Sequence, residues 1–216
     1  PARVGFIRSH IARRLGREGL YATRQLAGLR VLDVGCGGGL LAEALARLGA
    51  DVTAIDPSAQ NLSVARAHSQ RDPLTAGIQY RQMTVQQLAA EGQRFHAVCT
   101  LEVIEHVDDQ GAFLQACTEC VILFVSTMNR TPVSYLTAVL GAEYVLGMLP
   151  PGTHEWQKFV TPAELRHMAE GRCALRVDQV SGLVLRPNTR NPGAGLLHWT
   201  VGSDTEVNYI AHMYKE

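Results

Sequence analysis

Strand and helix patterns alternate along the first 130 residues of this 216-residue chain and predict an α/β fold. The expected architecture is a mostly parallel sheet of seven strands, with helices on both faces and an antiparallel hairpin at the C-terminal edge. Three observations carry this. Val31-Leu-Asp-Val34 runs into the glycines 35, 37, 38 and 39 before a helical pattern begins at Leu40; short apolar runs recur at 51–55, 95–101 and 122–127; helix-period segments lie between them. A glycine bend between the first strand and the helix after it makes the arrangement Rossmann-like.

In order, residues 1–29 read as helix, because Val4, Ile7, Ile11 and Leu15 share one face, and Gly28 closes it. Strand 30–34 follows, then the glycine bend and a helix through Leu41, Leu45 and Leu48. Strand 51–55 leads to a helix at 58–67 with Ser58 as its cap, broken at Asp72-Pro73. Next come strand 78–83, a short helix at 85–90, strand 95–101, a helix from about 109 to 120, and strand 122–127. Two later strands, 177–185 and 206–214, with only loop between them, form the edge hairpin. One junction is unusual. A helix reaching 120–121 runs into a strand at Ile122 without glycine or proline, so a backbone break is expected between Val121 and Ile122.

The length suits a single domain over 1–216. Lys plus Arg equals Asp plus Glu at 20 each, so no field gathers nucleic acid, and none is expected as a partner. Five cysteines without a paired framework read as thiols in a reducing compartment; Cys117-x-x-Cys120 is either a zinc or redox pair or two helix-face residues. No stretch reaches the ~18 uncharged apolar residues of a membrane span. A chain that starts at Pro1 rather than Met is expected to have lost an N-terminal piece, a targeting segment being one candidate.

Without a Cβ, Gly35 and Gly37 let the backbone approach a ligand, and the helix after them aims its first amides at the same spot. The spacing is not the dinucleotide Gly-x-Gly-x-x-Gly, since position 40 is Leu. Asp33 would repel a pyrophosphate but suits a cation such as the ammonium of S-adenosylmethionine. Asp56, about 20 residues beyond the bend, either accepts from ribose hydroxyls or caps the following helix.

Glu102, Glu105 and His106 follow the fourth strand, at the end where open α/β sheets bind ligands. On a helical turn they share one face and could hold a divalent cation; equally, acids in a first turn complement the helix dipole. Asn129, after the fifth strand, is a plausible contact. The apolar run 135–149 is a lid on the sheet or a segment docked on a membrane surface. His154, in the loop after it, is a general base or an ordinary surface histidine.

Taken together, Asp33-Val-Gly-Cys-Gly-Gly-Gly39, Glu102-Val-Ile-Glu-His106, Ser126-Thr-Met-Asn-Arg130, Gly152-Thr-His-Glu-Trp-Gln-Lys-Phe159 and Val207-Asn-Tyr209 resemble the ubiquinone-biosynthesis O-methyltransferases. Asp72-Pro-Leu and His154-x-Trp look more like the mitochondrial branch than the bacterial one. The resemblance implies S-adenosylmethionine touching Arg3, Gly35, Asp56 and Leu101, and magnesium on Glu102, Glu105 and His106. The implied substrates are polyprenylated catechols, a dihydroxy-polyprenylbenzoate and a demethyl-ubiquinol. It further implies an inserted membrane-contacting region at about 132–159, other ubiquinone-biosynthesis proteins as partners, and a peripheral place on the matrix side of the mitochondrial inner membrane, or a membrane-associated one in a bacterial cytoplasm. In that scheme the cation, held by Glu102 and His106 among others, acidifies the phenol, and His154 or a metal-bound base takes the proton. The family carries a Lys-Pro-Gly-Gly turn where this chain has Val121–Ile122. The competing expectations are a metal-free methyltransferase on another small molecule, a non-catalytic cofactor-binding subunit and, least favoured by the glycine spacing, a nicotinamide dehydrogenase.

Overall fold

The computed structural model describes residues 1–19, 24–137, 139, 155–187 and 197–215. Its elements are α1 (Ala2–Arg14), β1 (Arg30–Val34), α2 (Leu40–Arg47), β2 (Asp51–Asp56), α3 (Ala59–Ser69), β3 (Gln79–Gln82), α4 (Val85–Ala89), β4 (Phe95–Leu101), α5 (Gln110–Ala116), β5 (Cys120–Met128), α6 (Pro132–Ser134), α7 (Pro162–Arg172), β6 (Arg176–Pro187), β7 (Leu197–Gly202) and β8 (Asn208–Tyr214). They form a sheet in the order β3-β2-β1-β4-β5-β8-β6-β7, in which the first five strands run parallel and β8, β6 and β7 pair antiparallel. Because β1 pairs with β2 on one side and β4 on the other, the winding reverses there and a crevice opens at their carboxyl ends.

Successive strand residues point to opposite faces. Leu32, Val34, Val98, Leu123 and Val125 pack on one side with Leu88, Phe113, Leu114 and Leu165 from α4, α5 and α7. Val31, Ala97, Cys99, Ile122 and Phe124 face Ile7, Ile11, Leu45 and Leu62 from α1, α2 and α3. Removing such a fully buried leucine side chain costs about 2–5 kcal/mol. All five cysteines are buried free thiols.

The helix expected over 1–29 ends at Arg14, where the Arg17 amide donates back to Ala12 O at 2.7 Å. Ser58 does cap α3, accepting from Asn61 N at 3.2 Å. The expected break at 121–122 is absent. β5 runs without interruption through it, with Ile122 paired to Ala97 and Tyr214 and Lys215 N donating to Val121 O at 3.2 Å. The helix before it stops at Ala116 rather than 120, and Cys117, Thr118 and Glu119 make the reversal. Glycine is not needed there, because Cys117 keeps a right-handed backbone (φ −74°) and Thr118 Oγ1 donates to Gln115 O at 2.8 Å.

The C-terminal strands also differ from expectation. β8 inserts between β5 and β6 instead of lying at the edge, and the edge hairpin is β6 with β7, a strand that sequence reasoning missed. It missed α7 as well, although Thr161 and Glu164 form a reciprocal capping box at its start. Most of the inserted segment expected at 132–159, including most of the apolar run 135–149, lies outside the described residues.

Candidate functional site

The glycine bend is fixed from below and from one side. Gly35 N and Cys36 N both donate to Ile55 O, at 2.9 and 3.0 Å. Asp56, the last residue of β2, accepts from Gly37 N at 2.9 Å through one oxygen, and from Ser58 N at 2.8 Å and Asn61 Nδ2 at 3.3 Å through the other. Of the two sequence readings of Asp56, its surroundings show the helix-capping one, since it steadies the start of α3; it also pins the bend, which the sequence did not indicate. Gly37 has φ +51°, and a Cβ built on it would meet nothing within 4 Å, so the bend presents bare backbone to open space. Gly35 (φ +68°) is the opposite case, since its Cβ would stand 2.5 Å from Val103 Cγ2. That contact seats the bend directly on the acidic segment after β4.

Asp33 is buried beneath the bend on the α2 side, and its Oδ2 has no partner. Burial pushes its pKa up to about 7, with a smaller upward push from Asp56. Beside the bend lies a cavity of about 120 Å³, lined by Gly35, Ile55, Pro57, Thr84, Val103 and Phe113, of a character suited to a flat apolar ring. A larger open groove, about 660 Å³ between Arg166 and Val177, lies at the other end of the sheet and has no part in the crevice.

Leu101 closes β4 opposite Ser126, and Glu102 follows with a left-handed backbone, φ 58°, that is uncommon outside glycine. Three donors meet its carboxylate. Oε1 accepts from Arg3 Nη2 at 2.9 Å and Ser126 Oγ at 2.6 Å, and Oε2 accepts from Asn208 Nδ2 at 3.0 Å. Glu105 sits in the 3₁₀ turn Ile104–His106, buried, with Oε2 accepting from Thr127 Oγ1 at 2.9 Å and Oε1 without a partner. Burial, and then the neighbouring Glu102, push its pKa up to about 8.

The crevice thus brings together Asp33, Gly35, Gly37 and Asp56 on one wall and Arg3, Leu101, Glu102 and Glu105 on the other. His106 does not join them. Glu102 precedes the turn instead of sharing a helical face with it, and the His106 side chain is exposed. Among the described residues no three His, Cys, Asp or Glu side chains are grouped to hold a metal. His154 lies outside the described residues. Asn129 binds protein, donating from Nδ2 to Thr205 O at 2.9 Å. Sequence reasoning gave no role to Ser126, Thr127 or Asn208, although all three fall at strand ends that border the crevice. Their signal was a hydroxyl or amide at the end of an otherwise apolar strand.

The residues present fit S-adenosylmethionine. A backbone cradle is open at Gly37, an apolar slot adjoins it, and a buried Asp33 oxygen lacks a partner beneath.

Residues 32–122 match the family model for a methyltransferase domain. The chain is 45% identical over 215 residues to the ubiquinone biosynthesis O-methyltransferase of Azorhizobium caulinodans, covering 97% of this chain and 80% of that one. It is 41% identical over 216 residues to the mitochondrial ubiquinone biosynthesis O-methyltransferase of Arabidopsis thaliana, covering 98% of this chain and 64% of that one. Among solved structures, magnesium protoporphyrin IX methyltransferase (ChlM) from Synechocystis PCC 6803 with bound SAH shares the fold, at TM-score 0.66 and 18% identity over 99% of this chain and 84% of that one. With the methyltransferase fold, the glycine cradle and this identity over nearly its whole length, the chain belongs to the ubiquinone biosynthesis O-methyltransferases, a family of S-adenosylmethionine-dependent enzymes.

Proposed function

We propose that the protein transfers the methyl group of S-adenosylmethionine to a phenolic hydroxyl of polyprenylated catechols, a dihydroxy-polyprenylbenzoate and a demethyl-ubiquinol, in ubiquinone biosynthesis. One observation supports this most: the cradle at Gly37 and the carboxylates of Glu102 and Glu105 share one crevice, joined by the Gly35–Val103 contact. When bound, S-adenosylmethionine supplies an electrophilic methyl on a sulfonium. The Gly37 backbone and Asp56 hold the donor, Asp33 places negative charge beneath it, and the apolar slot at Thr84 and Phe113 takes its flat base. Glu105, whose pKa is pushed up to about 8, is a stronger base than an ordinary carboxylate and is suited to accept a phenol proton once it has itself been deprotonated. Arg3, Ser126 and Asn208 keep Glu102 from rotating. The rest of the acceleration comes from positioning. His154 is the second candidate base.

Glu102 and Glu105 also fit a divalent cation, given the unpartnered Glu105 oxygen, and a magnesium ion there would act as a Lewis acid on the phenol. We keep His106, in the turn beside Glu105, as its third candidate ligand. The exposed Val133, Tyr135 and Leu136 lead into the apolar run 135–149, which we assign to contact with a membrane surface. No helix among the described residues is long and apolar enough to cross one. We assign the chain as one methyltransferase domain over 1–216, peripheral on the matrix side of the mitochondrial inner membrane beside other ubiquinone-biosynthesis proteins; a bacterial cytoplasm is the second address.

The test is methyl transfer from labelled S-adenosylmethionine to short-tailed catechols, with chelator and then with magnesium restored. Label in an O-methylated catechol supports the reading, and its absence under both conditions contradicts it. Undiminished transfer in chelator removes the magnesium role alone.

A further inference from the structure

Beyond Gly182, which pairs with Tyr209, β6 leaves β8 and continues for five residues to Pro187, paired only with β7. Since β8 is antiparallel to β5, with Asn208 beside Met128, this two-stranded ribbon projects roughly 15 Å past the crevice end of the sheet. Residues paired across antiparallel strands share a face. One face of the ribbon therefore carries Leu183 with Val201, Leu185 with Trp199, and Pro187 with Leu197, all apolar. Its base is in the core, where Leu183 packs with Phe124 and Ile210, but farther out Leu185, Leu197, Trp199 and Val201 are 45, 54, 43 and 38% exposed. An apolar face of this size, left open on a ribbon edge, marks a binding surface.

The ribbon is also tied to the chemistry. The Arg3 guanidinium carbon lies 5.6 Å from the Trp199 ring centroid, while Nη2 of the same side chain bonds Glu102. The apolar face thus starts one side chain away from the catalytic carboxylates and leads outward, and the cation beside it is already matched by Glu102.

We propose that this β6–β7 face is the binding site for the substrate's isoprenoid tail, with Trp199 at its entry. The proposal rests on the catechol reading above, because it follows the tail from a ring seated at Glu102. Methyl transfer is measured for a catechol without a tail and for the same catechol with a three-isoprene tail, both in detergent, using Trp199→Ser and the double variant Leu185→Ser/Leu197→Ser. The expected result is at least a tenfold fall in the ratio of kcat/KM for tailed over tailless substrate, through KM, in both variants. An unchanged ratio overturns the tail site, as does loss of lipid-vesicle binding with the ratio intact, which would make the face a membrane contact. A binding readout separates this proposal from the catechol reading. In a Trp156→Phe background, Trp199 fluorescence is expected to shift to the blue on titration with a short-chain isoprenoid alcohol. No shift overturns the site, whereas a shift in a protein that methylates no catechol leaves the site standing and removes the catechol reading.

Discussion

Arg3 Nη2 lies 2.9 Å from Glu102 Oε1, joining the first turn of α1 to the carboxyl end of β4 across 99 positions of sequence. Both side chains are mostly buried, so the pair is a charge-assisted bond of about 1.5–3 kcal/mol rather than a screened surface contact. Arg3→Met is expected to lower kcat/KM by roughly tenfold to a hundredfold on that basis. Arg3→Lys should recover only part, because an ammonium cannot reproduce the planar fork over Trp199 and Glu102. Steady-state kinetics of the two variants decide it; equal, near-wild-type values would show that the pair is incidental.

Asn208 holds the other oxygen of Glu102 at 3.0 Å. Asn208→Asp replaces a donor with a like charge beside Glu102. The expected outcome is a fall in kcat of about a hundredfold or more at neutral pH, with S-adenosylhomocysteine affinity changed less than about threefold, as a charge-assisted bond is lost and a repulsion added. Parallel kinetics and calorimetry would contradict this if cofactor affinity fell as far as kcat.

Gly35 leaves no room for a side chain. Gly35→Ala sets a Cβ 2.5 Å from Val103 Cγ2 at a φ of +68°, and strain of this kind costs about 1–3 kcal/mol. Thermal melts should show a lower Tm. Adding Val103→Ala should return part of the loss by removing the clash, but not the part due to backbone strain. A double variant no more stable than Gly35→Ala would mean that the contact is not what limits this position.

Asp33 gives a pH signature. Its folded pKa, about 7, stands above the ordinary 3.8, so between those values the folded state binds the proton more tightly than the unfolded. The stability this proton contributes is present below about pH 4 and is lost as the pH rises to about 7. Asp33→Asn removes that dependence, so the Tm difference, variant minus wild type, should grow between about pH 5 and pH 8. Above about pH 7, where the wild-type carboxyl is ionised, the same variant should also bind S-adenosylmethionine more weakly, having lost the negative charge beneath it. A Tm difference constant with pH would contradict the burial argument.

What the sequence disclosed, and what it hid, follows from how local each determinant is. β1 and β4 fall where the apolar runs place them, because a strand buried on both faces writes its limits directly into composition. The glycine bend and Asp56 were equally legible, since a turn's backbone demands act within a few residues. The end of α5 was not: Thr118 closes the helix through a side-chain bond that no glycine announces. β7 does alternate, with Leu197, Trp199 and Val201 on one face, but it pairs at a sheet edge that only the folded topology defines. The partners of Glu102 were hidden for the same reason. Arg3, Ser126 and Asn208 come from three distant stretches, and only the insertion of β8 beside β5 brings Asn208 to it.

The central claim is that the bend pinned by Asp56 is the methyl-donor site, and calorimetric titration with S-adenosylhomocysteine tests it most directly. The wild-type protein should bind with 1:1 stoichiometry. Asp56→Ala, which frees Gly37 N and Ser58 N, should weaken binding by about tenfold or more, the cost of a charge-assisted bond, while its circular dichroism stays unchanged. Equal affinity in the two proteins, or no binding by the wild type, would contradict the account.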